Sequence, residues 1–334
     1  MTSLPTASLF VQLRTGATPA SVYRRALEIT VAAEELGYGS VWFATRHFAA
    51  HHAALPSVFP FLVAAAARTR RIRLGAGVVA LPFEHPVRVA EDAAVTDELA
   101  DGRLELGVGK GLGFGLSASA FAAFGVPPAE RESRYRSHLT TLQEILGSGR
   151  VGPDAALYPP PGTLRRRIWQ STGSIPSACA AARAGDGLLP HGNSESRGEG
   201  GVGELVDAYL SAWRGAAAPR IGLTVAALPG RSPGDAIDLL RSDAALSPAY
   251  YAGVPGDGLD AFASERGIDV GGADGLTDRI RRAPGFGFAT DLLVHLPLAL
   301  EHPRYLECLE RAARLVPARL TEVRRACLSG GPAG

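Results

Sequence analysis

A single lysine is the most conspicuous chemical group in this chain of 334 residues. Lys110 lies within Leu104-Glu105-Leu106-Gly107-Val108-Gly109-Lys110-Gly111-Leu112-Gly113, and every other strongly basic side chain is arginine. An alternating apolar run ends there in a glycine-rich turn that carries a cation. Glycines let backbone N–H groups turn towards an anion, and a cation completes the site. Two common nucleotide templates fail on this stretch. A Walker loop requires Ser or Thr after Gly-Lys, whereas Gly111 follows Lys110. A dinucleotide fingerprint requires a third glycine where Leu112 or Phe114 stands. The stretch therefore reads either as an unconventional phosphate-binding strand–loop unit at Lys110 and Gly111 or as a plain flexible turn.

A second anion-binding pattern is Ser171-Thr172-Gly173-Ser174-Ile175-Pro176-Ser177, which leads from a short apolar run into an alanine-rich helix. Gly173, Ser174 and Ser177 put small donors at a helix N-terminus, where N–H groups are unsatisfied; plain N-capping is the other reading. A third group, Thr45-Arg46-His47-Phe48, follows an apolar strand directly. Arg46 cannot act as a base near neutral pH, whereas His47 can titrate there. His191 and His295 also stand at or near strand ends and are candidates for a substrate pocket, with Thr45 and Phe114. No metal is expected: His47, His51 and His52 cluster, but neither an HExxH pattern nor a third ligand accompanies them. The nucleophile elbow Gly-x-Ser-x-Gly is absent around Ser174, which argues against a serine hydrolase. Arg165, Arg166 and Arg167 read as a solvated turn.

Such residues need a scaffold, and the chain supplies strand and helix in alternation. Short apolar runs at 7–13, 39–44, 72–81, 104–108, 168–170, 187–189, 221–228 and 290–296 read as strands. Helical spacing separates them, as in Val22, Ala26, Ile29, Ala33 and Leu36, with Pro19 at a helix start and Gly37 at its end. Strands separated by helices pair in parallel. Eight such units predict one α/β domain over 1–334, a (β/α)8 parallel barrel with insertions around 111–124 and 244–287. A doubly wound open sheet is the alternative. Residues 192–203 read as a loop, and 305–316 and 320–327 as terminal helices. In barrel enzymes the chemistry collects at the C-terminal ends of the strands, and each candidate above follows a predicted strand.

Composition narrows the setting. The net charge of +1 gives no reason to expect nucleic acid or a polybasic membrane contact. No apolar run approaches the ~20 residues that span a bilayer. Cys179, Cys308 and Cys327 are far apart and odd in number, which fits a reducing cytoplasm.

With these residues in view, the chain resembles the bacterial luciferase-like flavin-dependent monooxygenases. The resemblance rests on Ala33-Glu34-Glu35-Leu36-Gly37-Tyr38, Val41-Trp42, Arg46-His47-Phe48, Leu81-Pro82, His85-Pro86, Ala90-Glu91-Asp92 and Asp101-Gly102-Arg103-Leu104. It continues through Gly107 to Gly111, Ala123-Phe124-Gly125-Val126, Ile168-Trp169 and Thr172-Gly173-Ser174. The resemblance implies a parallel barrel that takes reduced flavin mononucleotide from a separate flavin reductase and reacts it with oxygen on a small-molecule substrate. A homodimer belongs to the same expectation. A related branch uses deazaflavin for hydride transfer, and a non-catalytic flavin-binding relative is a further alternative. The resemblance also implies that Lys110 and Gly111, with Gly173, Ser174 and Ser177, face the cofactor phosphate. It places a non-proline cis peptide at Gly77-Val78, beneath the flavin ring. Arg46 occupies the position of luciferase's catalytic histidine and His47 the next one, so the resemblance points to the natural-product branch rather than to aldehyde chemistry.

Overall fold

The computed structural model describes residues 5–14, 18–111, 117–191, 201–270, 276, 280 and 282–314. Eight strands form one sheet: β1 (Thr6–Val11), β2 (Ser40–Phe43), β3 (Arg73–Ala80), β4 (Leu104–Gly109), β5 (Ile168–Thr172), β6 (Gly187–Pro190), β7 (Gly222–Ala226) and β8 (Asp291–His295). Their order is β6-β5-β4-β3-β2-β1-β8-β7, and every pairing is parallel. The remaining gap between β6 and β7 is spanned by a parallel bridge of Leu188 and Ile221, where Leu188 N–H donates to the Arg220 carbonyl at 2.8 Å. The result is a nearly closed α/β barrel of the TIM type, as the alternation predicted.

Helices α1 (Pro19–Glu35), α2 (Val58–Ala66), α3 (Pro86–Leu99), α4 (Ala118–Ala123), α5 (Arg131–Ser148), α6 (Ile175–Ala184), α7 (Val202–Ala212), α8 (Pro233–Leu246) and α9 (Leu259–Glu265) surround it. Local signals set their ends. Thr18 accepts from Ser21 N–H at the start of α1, and Pro19 opens the helix. At its end Gly37 adopts φ +87°, Tyr38 N–H reaches the Ala33 carbonyl and Gly37 N–H the Glu34 carbonyl, a Schellman closure. Both insertions carry structure of their own: α4 lies within 111–124, and the end of α8 and all of α9 lie within 244–287. Helix α6 begins at Ile175, with Pro176 and Ser177 in its first turn and Ser174 as its N-cap residue. Phe114, most of the loop at 192–203 and the helix expected at 320–327 lie outside the described residues.

Two apolar cores are separate. The larger one lies between the helices and the outer face of the barrel. The smaller fills the interior and consists of Trp42, Trp169, Leu189 and Leu293, with Phe10 and Val78 against them. Two indoles fit inside because glycines face them. A Cβ on Gly75 would lie 2.2 Å from Trp42 Cδ2, and one on Gly187 would lie 2.4 Å from Trp169 Cε3. The rings meet edge to face at 5.6 Å. Beneath them, near the N-terminal ends of the strands, Glu105 accepts from Arg73 Nε and, at 2.7 Å, from Trp169 Nε1. The Arg220 guanidinium lies 4.7 Å from the Trp169 ring centroid. Burial, reinforced by the nearby Glu105 charge, pushes the carboxyl of Asp291 up to about 6 despite a hydrogen bond from Thr290. Polar residues at this end of a barrel serve stability rather than chemistry.

Candidate functional site

The interior is packed up to the level of the tryptophans and opens above them. Towards the C-terminal ends of the strands the inward residues Phe10, Gly77, Val78, Ser171, Thr224 and His295 regain solvent exposure. Strand β3 makes this mouth irregular. Its register against β4 slips between Ala76 and Val79, and the Gly77–Val78 peptide bond is cis, as the resemblance implied. Both residues turn inward. A Cβ on Gly77 would meet Phe10 Cε2 at 3.1 Å, and the Val78 side chain lies over Gly107 and Gly109. Thr45 closes the back of this unit by donating its hydroxyl to the Val78 carbonyl.

This packing corrects the reading of the glycine-rich stretch. Gly107 and Gly109 belong to β4, and their missing Cβ atoms make room for the Ala76 carbonyl, Val78 and Trp42. The loop begins at Lys110. Gly111 has φ +69°, a conformation that favours glycine, and its carbonyl accepts from Arg131 NH1 at 3.3 Å.

The cation of the loop and the hydroxyls of the second pattern converge. Lys110 Nζ donates to Ser177 Oγ at 2.9 Å, and Ser174 Oγ donates to Ser177 Oγ at 3.0 Å. Both serines stand at the start of α6. Gly173 precedes them, and a Cβ there would lie 2.9 Å from His191 Cε1 and 3.0 Å from the His191 carbonyl. Only glycine therefore lets the β5–α6 turn lie against His191. Enclosure lowers the pKa of His191, and the charges of Lys110 and Arg131 add to this. An ammonium, two hydroxyls, a helix N-terminus and a glycine in close contact form the donor set of an oxyanion subsite. These residues fit the phosphate of a flavin mononucleotide. Sequence reasoning missed three contributors from α5. Glu132 Oε2 lies 2.6 Å from Lys110 Nζ, the Tyr135 ring centroid lies 5.6 Å from it, and Arg131 holds the loop. The run 131–146 reads as helical, but which of its faces meets Lys110 depends on the angle at which α5 crosses the barrel. No local pattern encodes that angle.

The histidines divide between two places. His295 shares the inner face of β8 with Leu293, touches the Phe10 ring edge-on at 5.7 Å and has its Nδ1 at 3.2 Å from the Phe10 carbonyl. Burial pushes its pKa down to about 4 against that hydrogen bond, so the ring is neutral near pH 7 and Nδ1 is the protonated nitrogen. His47 lies at the same end of the barrel but outside its wall. It is half-buried between Phe83 and Phe124, at 5.8 and 4.8 Å between ring centroids, and burial lowers its pKa. With Thr45, Val79, Ala80 and Glu84 it lines a side cavity of about 270 Å³ beside the first turns of α2 and α3. Phe121 and Phe124 pack on Phe83. The Arg46 N–H donates to the Leu55 carbonyl at 3.3 Å, which fixes its loop to the chain entering α2. The rings of His51 and His52 lie 4.5 Å apart, tilted by 52°. Among the described residues no three His, Cys, Asp or Glu side chains are placed to hold a metal ion, and no helix is long and apolar enough to cross a membrane.

Comparison with known proteins agrees with this architecture. The chain is 38% identical over 122 residues to 4-hydroxyprotoasukamycin monooxygenase of Streptomyces nodosus subsp. asukaensis, covering 36% of this chain and 32% of that protein. It is 33% identical over 107 residues to the oxygenase component of the flavin-dependent trigonelline monooxygenase of Acinetobacter baylyi, covering 31% and 29%. An F420-dependent glucose-6-phosphate dehydrogenase of Beutenbergia cavernae is 33% identical over 184 residues, 50% of this chain and 52% of that enzyme. The matched segments thus span between about a third and a half of the length of these curated relatives. Among solved structures, the monooxygenase RslO1 of Streptomyces bottropensis superposes with a TM-score of 0.73 at 24% identity, over 95% of this chain and 99% of that one. The oxygenating constituent of 3,6-diketocamphane monooxygenase of Pseudomonas putida, in complex with FMN, gives 0.70 at 17% identity over 95% and 98%. These two likenesses establish the fold. The model of the luciferase-like monooxygenases matches residues 6–314, and the chain belongs to that family of oxidoreductases.

Proposed function

We propose that this protein is a monooxygenase that uses reduced flavin mononucleotide, delivered by a separate reductase, to oxygenate a small apolar metabolite. The observation that carries the reading is the convergence of Lys110, Ser174 and Ser177 at the C-terminal end of the barrel, beside an open mouth floored by Gly77 and Val78. The oxygenase-component relative supports the two-component arrangement. When bound, the reduced flavin supplies the electrons that activate oxygen. The chain's own residues supply the rest. Lys110, Gly111, Gly173, Ser174 and Ser177 hold the phosphate. Gly77 and Val78 support the ring, since their inward backbone leaves a flat floor above Trp42. Phe10 and Val78 make that floor apolar, and a dry pocket strengthens every polar contact within it. For a substrate that reaches from the mouth into the side cavity behind Thr45, His47 handles the proton and Arg46 holds negative charge; His295, neutral and donating through Nδ1, presents only an acceptor to the pocket. Thr45 and His191 border the substrate space.

Two measurements test this. Lys110→Ala should weaken flavin mononucleotide binding by about 1.5–3 kcal/mol, the usual contribution of a hydrogen bond to a charged group, while riboflavin binding changes little. Equal losses for both ligands would show that Lys110 does not hold a phosphate. Incubation with photoreduced flavin mononucleotide, labelled oxygen gas and a panel of apolar aromatic and terpenoid compounds should place one labelled oxygen atom in a product. The F420-dependent relative motivates a deazaflavin arm in the same screen. Selective binding of the deazaflavin, with reduction of a substrate and no labelled product, would replace the oxygenase reading with hydride transfer.

A further inference from the structure

The Lys110 subsite already contains an anion. Glu132, in the first turn of α5, places Oε2 at 2.6 Å from Lys110 Nζ, and the same Nζ donates to Ser177 Oγ at 2.9 Å. The carboxylate thus takes one donor position on the lysine that an oxyanion would use. Its other oxygen, Oε1, accepts from Arg136 Nε at 2.9 Å, one helical turn along α5. The lysine is largely covered, with 16% of its side chain exposed, whereas Glu132 retains 39% and Arg136 74%. The carboxylate therefore approaches the lysine from the solvent side. It can release Lys110 and keep its ion pair with Arg136.

We propose that Glu132 is an internal occupant and selectivity filter of the phosphate subsite: in the free protein its carboxylate takes the place on Lys110 that a bound phosphate takes, and it opposes phosphate dianions more strongly than monoanions. This rests on the reading that Lys110, Ser174 and Ser177 receive a flavin phosphate. The physical reason is charge counting. The carboxylate cancels the Lys110 charge, and an incoming phosphate must displace it or share the lysine with it. A dianionic phosphomonoester suffers about twice the repulsion of a monoanionic diester at the same distance, and an uncharged ribityl chain suffers none. The carboxylate is held ionised: burial alone would raise its pKa, but the hydrogen bond and charge of Lys110, followed by those of Arg136, bring it below the usual carboxylate range.

The test measures equilibrium binding by quenching of flavin fluorescence at pH 8, where a phosphomonoester is mostly dianionic. The ligands are oxidised flavin mononucleotide, riboflavin 4′,5′-cyclic phosphate with its single charge, and riboflavin. The proteins are the native chain, Glu132→Gln and Lys110→Ala, each checked by thermal melting for a native fold. Glu132→Gln should tighten flavin mononucleotide about 2- to 10-fold, the range for a partly exposed ion pair. It should tighten the cyclic phosphate less and leave riboflavin within about 2-fold. If Glu132→Gln weakens flavin mononucleotide or leaves it unchanged, while Lys110→Ala weakens it selectively over riboflavin, then Glu132 merely positions the lysine and the inference fails alone. If Lys110→Ala does not distinguish the two ligands, the phosphate reading falls and the inference falls with it.

Discussion

Gly75 offers a direct test of how the barrel interior sustains the site. A Cβ at this position would lie 2.2 Å from Trp42 Cδ2 and 2.6 Å from Cγ, well inside contact distance. The indole cannot move away cheaply. Its Nε1 donates to Ser40 Oγ at 2.9 Å, and its ring meets Trp169 at 5.6 Å. Overpacking of a filled core costs about 1–3 kcal/mol, and loss of the indole hydrogen bond adds about 0.5–1.5 kcal/mol. Gly75→Ala should therefore destabilise the protein by about 2–4 kcal/mol. For a chain of 334 residues that lowers Tm by about 3–6 °C, measurable by circular dichroism. The displaced indole would also press on Val78, so the floor of the mouth should rise and flavin affinity should fall in the residual folded protein. A double-mutant cycle isolates the cause. With Trp42→Leu already in place, Gly75→Ala should cost less than about 1 kcal/mol, because the clashing ring is gone. A Gly75→Ala protein that melts within 1 °C of the native one, a difference of under about 0.7 kcal/mol, would refute the argument that glycine is there to admit the indole.

Other consequences are as easily checked. His47→Ala should lower turnover by about 10²–10⁴-fold with flavin affinity nearly unchanged, and Arg46→Lys should retain more activity than Arg46→Ala; normal turnover of the His47 variant across pH 6–9 would move the proton-handling group elsewhere. Asp291 is raised to about 6 in the folded state, so ionising it costs stability as pH rises from about 4 to above 6. Asp291→Asn should therefore raise Tm at pH 8 and leave it nearly unchanged at pH 4. His295 shifts the other way, to about 4. Its contribution is complete above the unfolded value near 6.5 and is lost as pH falls towards 4, so the acid limb of a stability curve should flatten in His295→Gln.

Much of this was legible in the sequence, for physical reasons that differ by residue. The parallel barrel followed from alternation, since period-two and helical spacings are local and some helix ends carried their own signal, such as Pro19 or Gly37. The pairing of Lys110 with the β5–α6 turn was implied by the family resemblance, and its physical basis is that β4 and β5 are neighbouring parallel strands whose following loops lie side by side. Glu132 was not foreseen, because its contact depends on a helix crossing angle. Gly109 was misread as a loop residue because glycine means both a flexible turn and room for a neighbour's side chain. Only Val78, distant in sequence, shows that the second meaning applies here. The side of the barrel wall that His47 faces was likewise hidden, because the chain leaves the strand at Ala44 and period-two alternation ends there.

The crossed indoles also make the protein its own optical probe. Of the three tryptophans, Trp42 and Trp169 are buried side by side under the mouth, while Trp213 sits at the end of α7 beside solvent. Two indoles at this separation couple their strong far-ultraviolet transitions, which gives a paired circular-dichroism band there. Any yellow chromophore lodged above them would absorb where they emit and drain their excited state. Occupancy of the mouth can therefore be followed without a label, and loss of the paired band would report disruption of the interior before the outer helices melt.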